Sequence, residues 1–167
     1  MRKGIGNMEN YIASRFGLKG RVEIKLWGPD GNLKEHKVIK DHRRFPNTVT
    51  TFGDKLVANR LSGASLAAPS HIAIGTGTGG TSAFNSLATE LDRNALTSTT
   101  QQTGTDDNDV KYVGDWAAGD GTGAITEAGI FNAASGPGMY VYSSFTVVNK
   151  AAGDTLQINW TVTFGAS

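Results

Sequence analysis

Four groups of residues in this chain could do chemistry, and none has the spacing that a reaction needs. Glu90 and Glu127 could form a carboxylate pair, one protonated as an acid and one ionised as a base or nucleophile. Glu90, however, lies in Ala88-Thr-Glu-Leu-Asp-Arg93, beside Asp92 and Arg93, and Glu127 opens a strand shortly before a glycine. An ion pair or hydrogen bonds that organise the fold account for each. Asp106, Asp107, Asn108 and Asp109, followed by Asp115 and Asp120, offer oxygen ligands of the kind Ca²⁺ takes. Their order lacks the alternating acids, central glycine and closing glutamate of a calcium loop, so they read as a solvated acidic stretch. The run Gly75-Thr-Gly-Thr-Gly-Gly80 follows a strand as a phosphate loop would. It lacks the Gly-Lys-Ser/Thr ending, and no long helix follows to receive an anion. His36, His42 and His71 have no metal-ligand spacing. No Gly-x-Ser-x-Gly elbow is present, and the chain has no cysteine. The expectation is a protein that is not an enzyme and that needs no metal and no cofactor.

The elements that would have to position these groups are mostly strands. Leu156, Ile158, Trp160, Val162 and Phe164 alternate with Gln157, Asn159, Thr161 and Thr163. That period of two puts one row on a core and the other in solvent. Met139, Val141, Phe145 and Val147 make a similar run, and Ile125, Ile130 and Phe131 lead into a turn over Asn132 to Gly138. Val22, Ile24 and Leu26 alternate with Arg21, Glu23 and Lys25, then Gly28-Pro-Asp-Gly-Asn32 turns the chain back into a strand over Leu33 to Lys40. His71 to Ile74 is one further strand. Twenty-two glycines against four prolines fit many tight turns between ordered strands. Together these predict a mainly β chain, an antiparallel β-sandwich of jelly-roll-like form.

Helical signals are few. Asn47, Thr48 or Thr51 can cap a helix over residues 48–61, with Phe52, Leu56 and Leu61 on one side and Gly63 as its stop. Ser86 to Arg93 reads as a short helix or ordered turn. Residues 97–124, rich in Thr, Gly, Asp and Asn, read as a long exposed excursion anchored by Val110, Tyr112, Val113 and Trp116. Near the start, Met8, Tyr11, Ile12, Arg15 and Phe16 recur at helical spacing. So short a segment needs a surface to dock on, its own domain's or a partner's. The organisation expected is an N-terminal arm over residues 1–20 and one domain over residues 21–167.

Charge is unevenly divided. Residues 1–60 carry 13 basic and 6 acidic residues, a net of +7, and residues 61–167 carry 3 basic and 9 acidic residues, a net of −6. A basic half can meet nucleic acid, but its charges are interleaved with strand residues and no aromatic stacking platform accompanies them. The better match is that each half faces the oppositely charged half of a neighbouring subunit, or simply keeps the surface soluble. No apolar run follows the first basic residues and none is long enough to span a membrane, so the chain is expected to be soluble and made in the cytoplasm.

Taken in order, several segments resemble tailed-bacteriophage virion structural proteins, including the N-terminal domain of tail-collar fibres. They are VEIKLWGPDGNLKEHKVIK, NTVTTFGDKLVANRLSG, HIAIGTGTGG with LATELDR, ITEAGIFNA and FTVVNKAAGDTLQINWTVTF, which span roughly residues 20–164. The resemblance implies a β-rich, multimeric virion component. Within that class a capsid decoration (cement) protein that binds and stabilises the outer shell is expected. A short tail, baseplate or fibre-attachment protein is the alternative, because the chain stops just after its last strand and so is not a complete long fibre. The implied partners are the major capsid protein or other virion proteins, and other copies of the chain in a homotrimer. Contacts are expected from Tyr11, Ile12, Arg15 and Phe16 of the arm, from Arg43 and Arg44, and from Trp116.

Overall fold

The Pro29-Asp30-Gly31 turn is built as its residues require. The Asp30 carboxylate accepts from the Asn32 backbone N–H at 3.0 Å, and Gly31 takes φ 76°, a region open to glycine without Cβ strain. It joins β1 (Leu18–Trp27) to β2 (Leu33–Lys40), the pair that opens a computed structural model describing residues 18–40, 47–80 and 82–165. The remaining elements are β3 (Asn47–Val49), α1 (Thr51–Leu61), β4 (His71–Gly75), β5 (Glu90–Ala95), β6 (Ser98–Gln101), β7 (Asp109–Trp116), β8 (Gly123–Phe131), β9 (Met139–Lys150) and β10 (Thr155–Phe164). A 3-10 turn covers Gly104–Asp106.

The strands form two five-stranded sheets, β2-β1-β10-β7-β6 and β3-β9-β8-β4-β5, in which every pairing is antiparallel. The long-range pairs nest: β1 with β10, β3 with β9, β4 with β8, β6 with β7. Two antiparallel sheets with a shared apolar core make the β-sandwich expected. The core between the sheets holds Val22, Ile24 and Leu26 of β1, Ile72 and Ile74 of β4, Ile130 of β8, and Leu156, Ile158, Trp160 and Val162 of β10. Gly114 of β7 marks how closely the sheets approach, since a Cβ there would collide with Ile72 of the opposite sheet. Trp116 and Trp160 are buried with no hydrogen-bond partner for their indole N–H among the described residues, so apolar packing sets their contribution.

Several expectations need correction. The stretch 97–124 is not one exposed excursion. It contains β6 and β7, and β7 is an interior strand between β10 and β6. Its polar composition reflects an outward face in solvent, not the absence of a strand. Ser86 to Arg93 contains no helix, because Glu90 to Ala95 pair with β4 as β5. The helix starts after Thr50, which none of the three expected caps anticipated. Thr50 Oγ1 accepts from Gly53 N at 3.0 Å and donates to the carbonyls of Met139 and Tyr140, so one hydroxyl caps α1 and ties it to β9. Leu56 of α1 is buried as expected, but Leu61 is 82% exposed. Val147 faces outward because β9 carries a bulge opposite β8 that shifts the alternation, leaving Phe145 and Val148 buried. The domain includes residues 18–20, which are already in β1.

Candidate functional site

The three motifs of the middle of the chain, Gly75 to Gly80, Leu87 to Arg93 and Glu127 to Asn132, meet on the outer face of the second sheet. Glu127 is fully buried there. Its Oε1 accepts from the backbone N–H of Gly77 at 3.1 Å and of Thr89 at 2.8 Å, and its Oε2 from that of Ala88 at 3.2 Å. The neighbouring Thr126 hydroxyl donates to the Gly77 carbonyl at 2.6 Å. Glycine is needed at positions 75 and 77 because a Cβ at either would meet this carboxylate or the Ala88–Thr89 segment. The Tyr142 hydroxyl accepts from Gly80 N at 3.0 Å, and burial pushes its phenol above the usual range. The loop between β4 and β5 is thus stitched along its length to β8 and β9.

Arg93 finishes the arrangement. Its Nε and Nη2 donate to the two oxygens of Glu90 at 2.9 and 2.6 Å. Nη1 donates to the carbonyls of Ala133 and Gly136, both at 3.1 Å. The guanidinium lies 3.6 Å from the centroid of the Phe131 ring, and the side chain is 5% exposed. One residue therefore holds the β8–β9 turn in place. Beneath it sits a second small core of Ala73, Leu87, Phe131, Met139 and Tyr142, with Phe84 against it. Glu90 and Glu127 are thus the fold-organising carboxylates expected, one in an ion pair with Arg93 and the other accepting backbone amides. Sequence reasoning missed the stack of Arg93 on Phe131, whose only linear signal was a lone arginine in an otherwise acidic region.

The other candidates are dispersed. Asp115 accepts from the Thr97 hydroxyl at 2.6 Å and from the Gln157 amide at 2.8 Å. Asp106 lies in the 3-10 turn and Asp109 opens β7. Among the described residues no three His, Asp or Glu side chains gather as a metal-ligand set. His36 Nε2 bonds to Glu23 Oε1 at 2.8 Å, a contact that, with Lys25 and Arg21 nearby, holds the Glu23 carboxyl below its ordinary range. His71 Nδ1 bonds to the Ser70 hydroxyl at 2.8 Å. His42 lies outside the described residues, as do Tyr11, Ile12, Arg15, Phe16, Arg43 and Arg44. Trp116 belongs to the core at 1% exposure, so its ring is not presented to a partner. Strand alternation, hidden by the polar residues around it, turns it inward.

The opposite outer surface, that of the first sheet, has another character. Register places Lys40, Arg21, Thr161, Lys111 and Thr100 in one cross-strand row over all five strands. The neighbouring row holds Val38, Glu23, Asn159, Val113 and Ser98, and Lys19 flanks Arg21 on β1. This face is basic along one row and mixed along the next, where Val38 is exposed beside Glu23. Among the described residues no helix is long and apolar enough to cross a membrane. No family model, no curated protein and no solved structure matches this chain.

Proposed function

We propose that this chain is a virion structural protein of a tailed bacteriophage, a capsid decoration protein that binds the outer shell as a homotrimer and stabilises it by adhesion. The observation that carries the reading is what the resembling motifs do. Their two chemically capable groups, the Glu127 carboxylate and the Arg93 guanidinium, are occupied by backbone amides, backbone carbonyls and Glu90. A carboxylate that accepts three amides builds a rigid block, and rigidity is what an adhesive module needs, because little conformational entropy is then lost on contact. The basic row on the first sheet offers the charge complement to an acidic shell. Many modest contacts, each copy touching several neighbours, add up to a stabilised lattice.

The test is quantitative mass spectrometry of phage particles purified from the culture that makes this chain, joined to electron microscopy of the same particles. Hundreds of copies per particle on the head support decoration. A handful at the tail would move the protein to the alternative, a tail, baseplate or fibre-attachment part. Its absence from particles would overturn the virion reading.

A further inference from the structure

On the outer face of the first sheet, where β2, β1 and β10 lie side by side, an open hollow of about 370 Å³ is lined by Lys19, Gly20, Arg21, Lys40 and Thr163. Register brings its cations together. Arg21 and Lys40 are direct cross-strand partners, and Lys19 stands two residues from Arg21 along β1, on the same face. Like charges set directly opposite each other destabilise a sheet. A solvent-facing row asks only for polar side chains, which Thr161 and Thr100 supply in this same row without repulsion. The nearby carboxylates do not offset the cost. Glu23 is already shared by His36 at 2.8 Å, Lys25 at 3.5 Å and Arg21 at 3.7 Å. Asp109 lies on the far side of Thr163, two strands from Lys19. Lys40 has no ion-pair partner among the described residues.

We propose that this hollow is an oxyanion site whose ligand is a phosphate-class dianion, either inorganic phosphate or the phosphate of a small monoester. Charge complementarity carries the choice. Three cations converge on one hollow, so a dianion offsets more of the repulsion between Arg21 and Lys40 than a monoanionic carboxylate does. The donors fit the same chemistry. The Arg21 side chain is 45% exposed and its contact with Glu23 is long, so its guanidinium fork is open to two oxygens of one phosphate. Lys19 and Lys40 add point charges beside it, and the Thr163 hydroxyl is a donor for a further oxygen. Lys111 is out of reach, two strands from Arg21 across Thr161, a separation of roughly 10 Å. The site therefore belongs to one end of the basic row. The inference does not depend on the virion reading, since it concerns a small anion on the isolated protein.

The test is titration calorimetry of the full chain with sodium phosphate and with glycerol phosphate at pH ~8, where both are dianions. Sodium chloride at equal ionic strength is the comparison, because it reproduces screening alone. One saturable site is expected. Arg21→Gln and Lys40→Gln should each weaken it by about tenfold or more, the loss of a charge-assisted hydrogen bond. Lys111→Ser should leave it within about twofold, because salt screens a charge at that distance. Tighter binding of the ester supports an organic phosphate as the ligand, and equal binding supports the free ion. Melting supplies a readout that a purely structural role would not move. In phosphate-free buffer Lys40→Gln should melt at or slightly above wild type, since the opposed charges are gone. With saturating phosphate it should melt below wild type, which alone gains from the ligand. Heats no larger than those of chloride would overturn the proposal, and so would equal losses in all three variants. An oligothymidylate bound far more tightly than phosphate, and weakened as much by Lys111→Ser as by Arg21→Gln, would also overturn it by assigning the whole row to a nucleic-acid strand.

Discussion

The outer faces of the two sheets have opposite fates. On the first sheet the outward rows of β1 and β10 stay partly open apart from the buried Asn159, and their other side chains are Lys, Arg, Glu, Trp, Gln and Thr. On the second sheet the outward row is covered by the loop between β4 and β5, so Ala73, Phe131, Met139 and Tyr142 are buried there. The central strands of the covered sheet are consequently buried on both faces. Six of β8's nine residues are buried, and β9 opens with five buried residues in succession. The lesson is that an antiparallel sheet can be given a second core by one loop, provided the loop's backbone amides find acceptors. Glu127 is that acceptor, and without it the loop would close over an apolar face with unpaired donors.

If the comparison holds, an outward residue of the covered sheet should matter as much as an inward residue of the open one. Trp160→Ala and Phe131→Ala should each cost ~3–5 kcal/mol in denaturant unfolding. A cost below ~1 kcal/mol for Phe131→Ala would mean that the cover is loose. Trp160→Phe should be much milder than Trp160→Ala, because the lost indole N–H has no partner to strand.

Glu127→Ala comes next, at ~2–4 kcal/mol. It strands three amides, but Ala88 and Thr89 are exposed residues and water can reach that segment, which keeps the loss below that of the large aromatics. Hydrogen exchange should show the amides of Gly77, Ala88 and Thr89 deprotected while β1 and β10 stay protected. Deprotection of both sheets alike would show that the loop is not a separate cover.

Alkaline pH tests the inter-sheet core that both sides share. Burial pushes the Tyr112 phenol up to about 12, and burial raises Tyr140 as well, the two rings packing edge to face at 6.4 Å between centroids. A raised folded-state pKa means that the unfolded chain loses its protons first. The stabilisation is therefore complete below pH ~10 and is lost as pH rises toward 12, by roughly 2 kcal/mol for Tyr112. Tyr112→Phe should flatten that part of the pH–stability curve, and an unchanged slope would sink the assignment.

The smallest effect belongs to the open face. Lys111→Ser, in the cross-strand row beside Thr161, should shift stability by less than ~0.5 kcal/mol. Under the proposed adhesive role it should weaken attachment to an acidic surface, with the difference from wild type shrinking as salt is raised.

How much was legible in the sequence follows the same division. Where one face of a strand is wet, period-two patterning identifies both the strand and its inward row, as for Val22, Ile24 and Leu26 or for Ile158, Trp160 and Val162. The Pro-Asp-Gly-Asn turn fixed the first hairpin for equally local reasons. β5, β6 and β7 were read wrongly because their residues are those of loops. They become strands through ladder partners distant in the chain, such as Ala73 for Arg93 and Trp160 for Tyr112.

The sequence by itself thus determined the two-sheet architecture, the hairpin and the inward rows, because each depends on short-range periodicity that backbone geometry enforces. Only the tertiary structure decided which groups meet. Glu127 accepts from an amide 50 positions away in the chain, and Arg93 reaches a carbonyl 43 positions away. A carboxylate's role depends on which donors surround it in space, and residue type carries no record of them. The same physics turned Trp116 inward and brought Leu18, Val57 and Leu61 together around an apolar hollow.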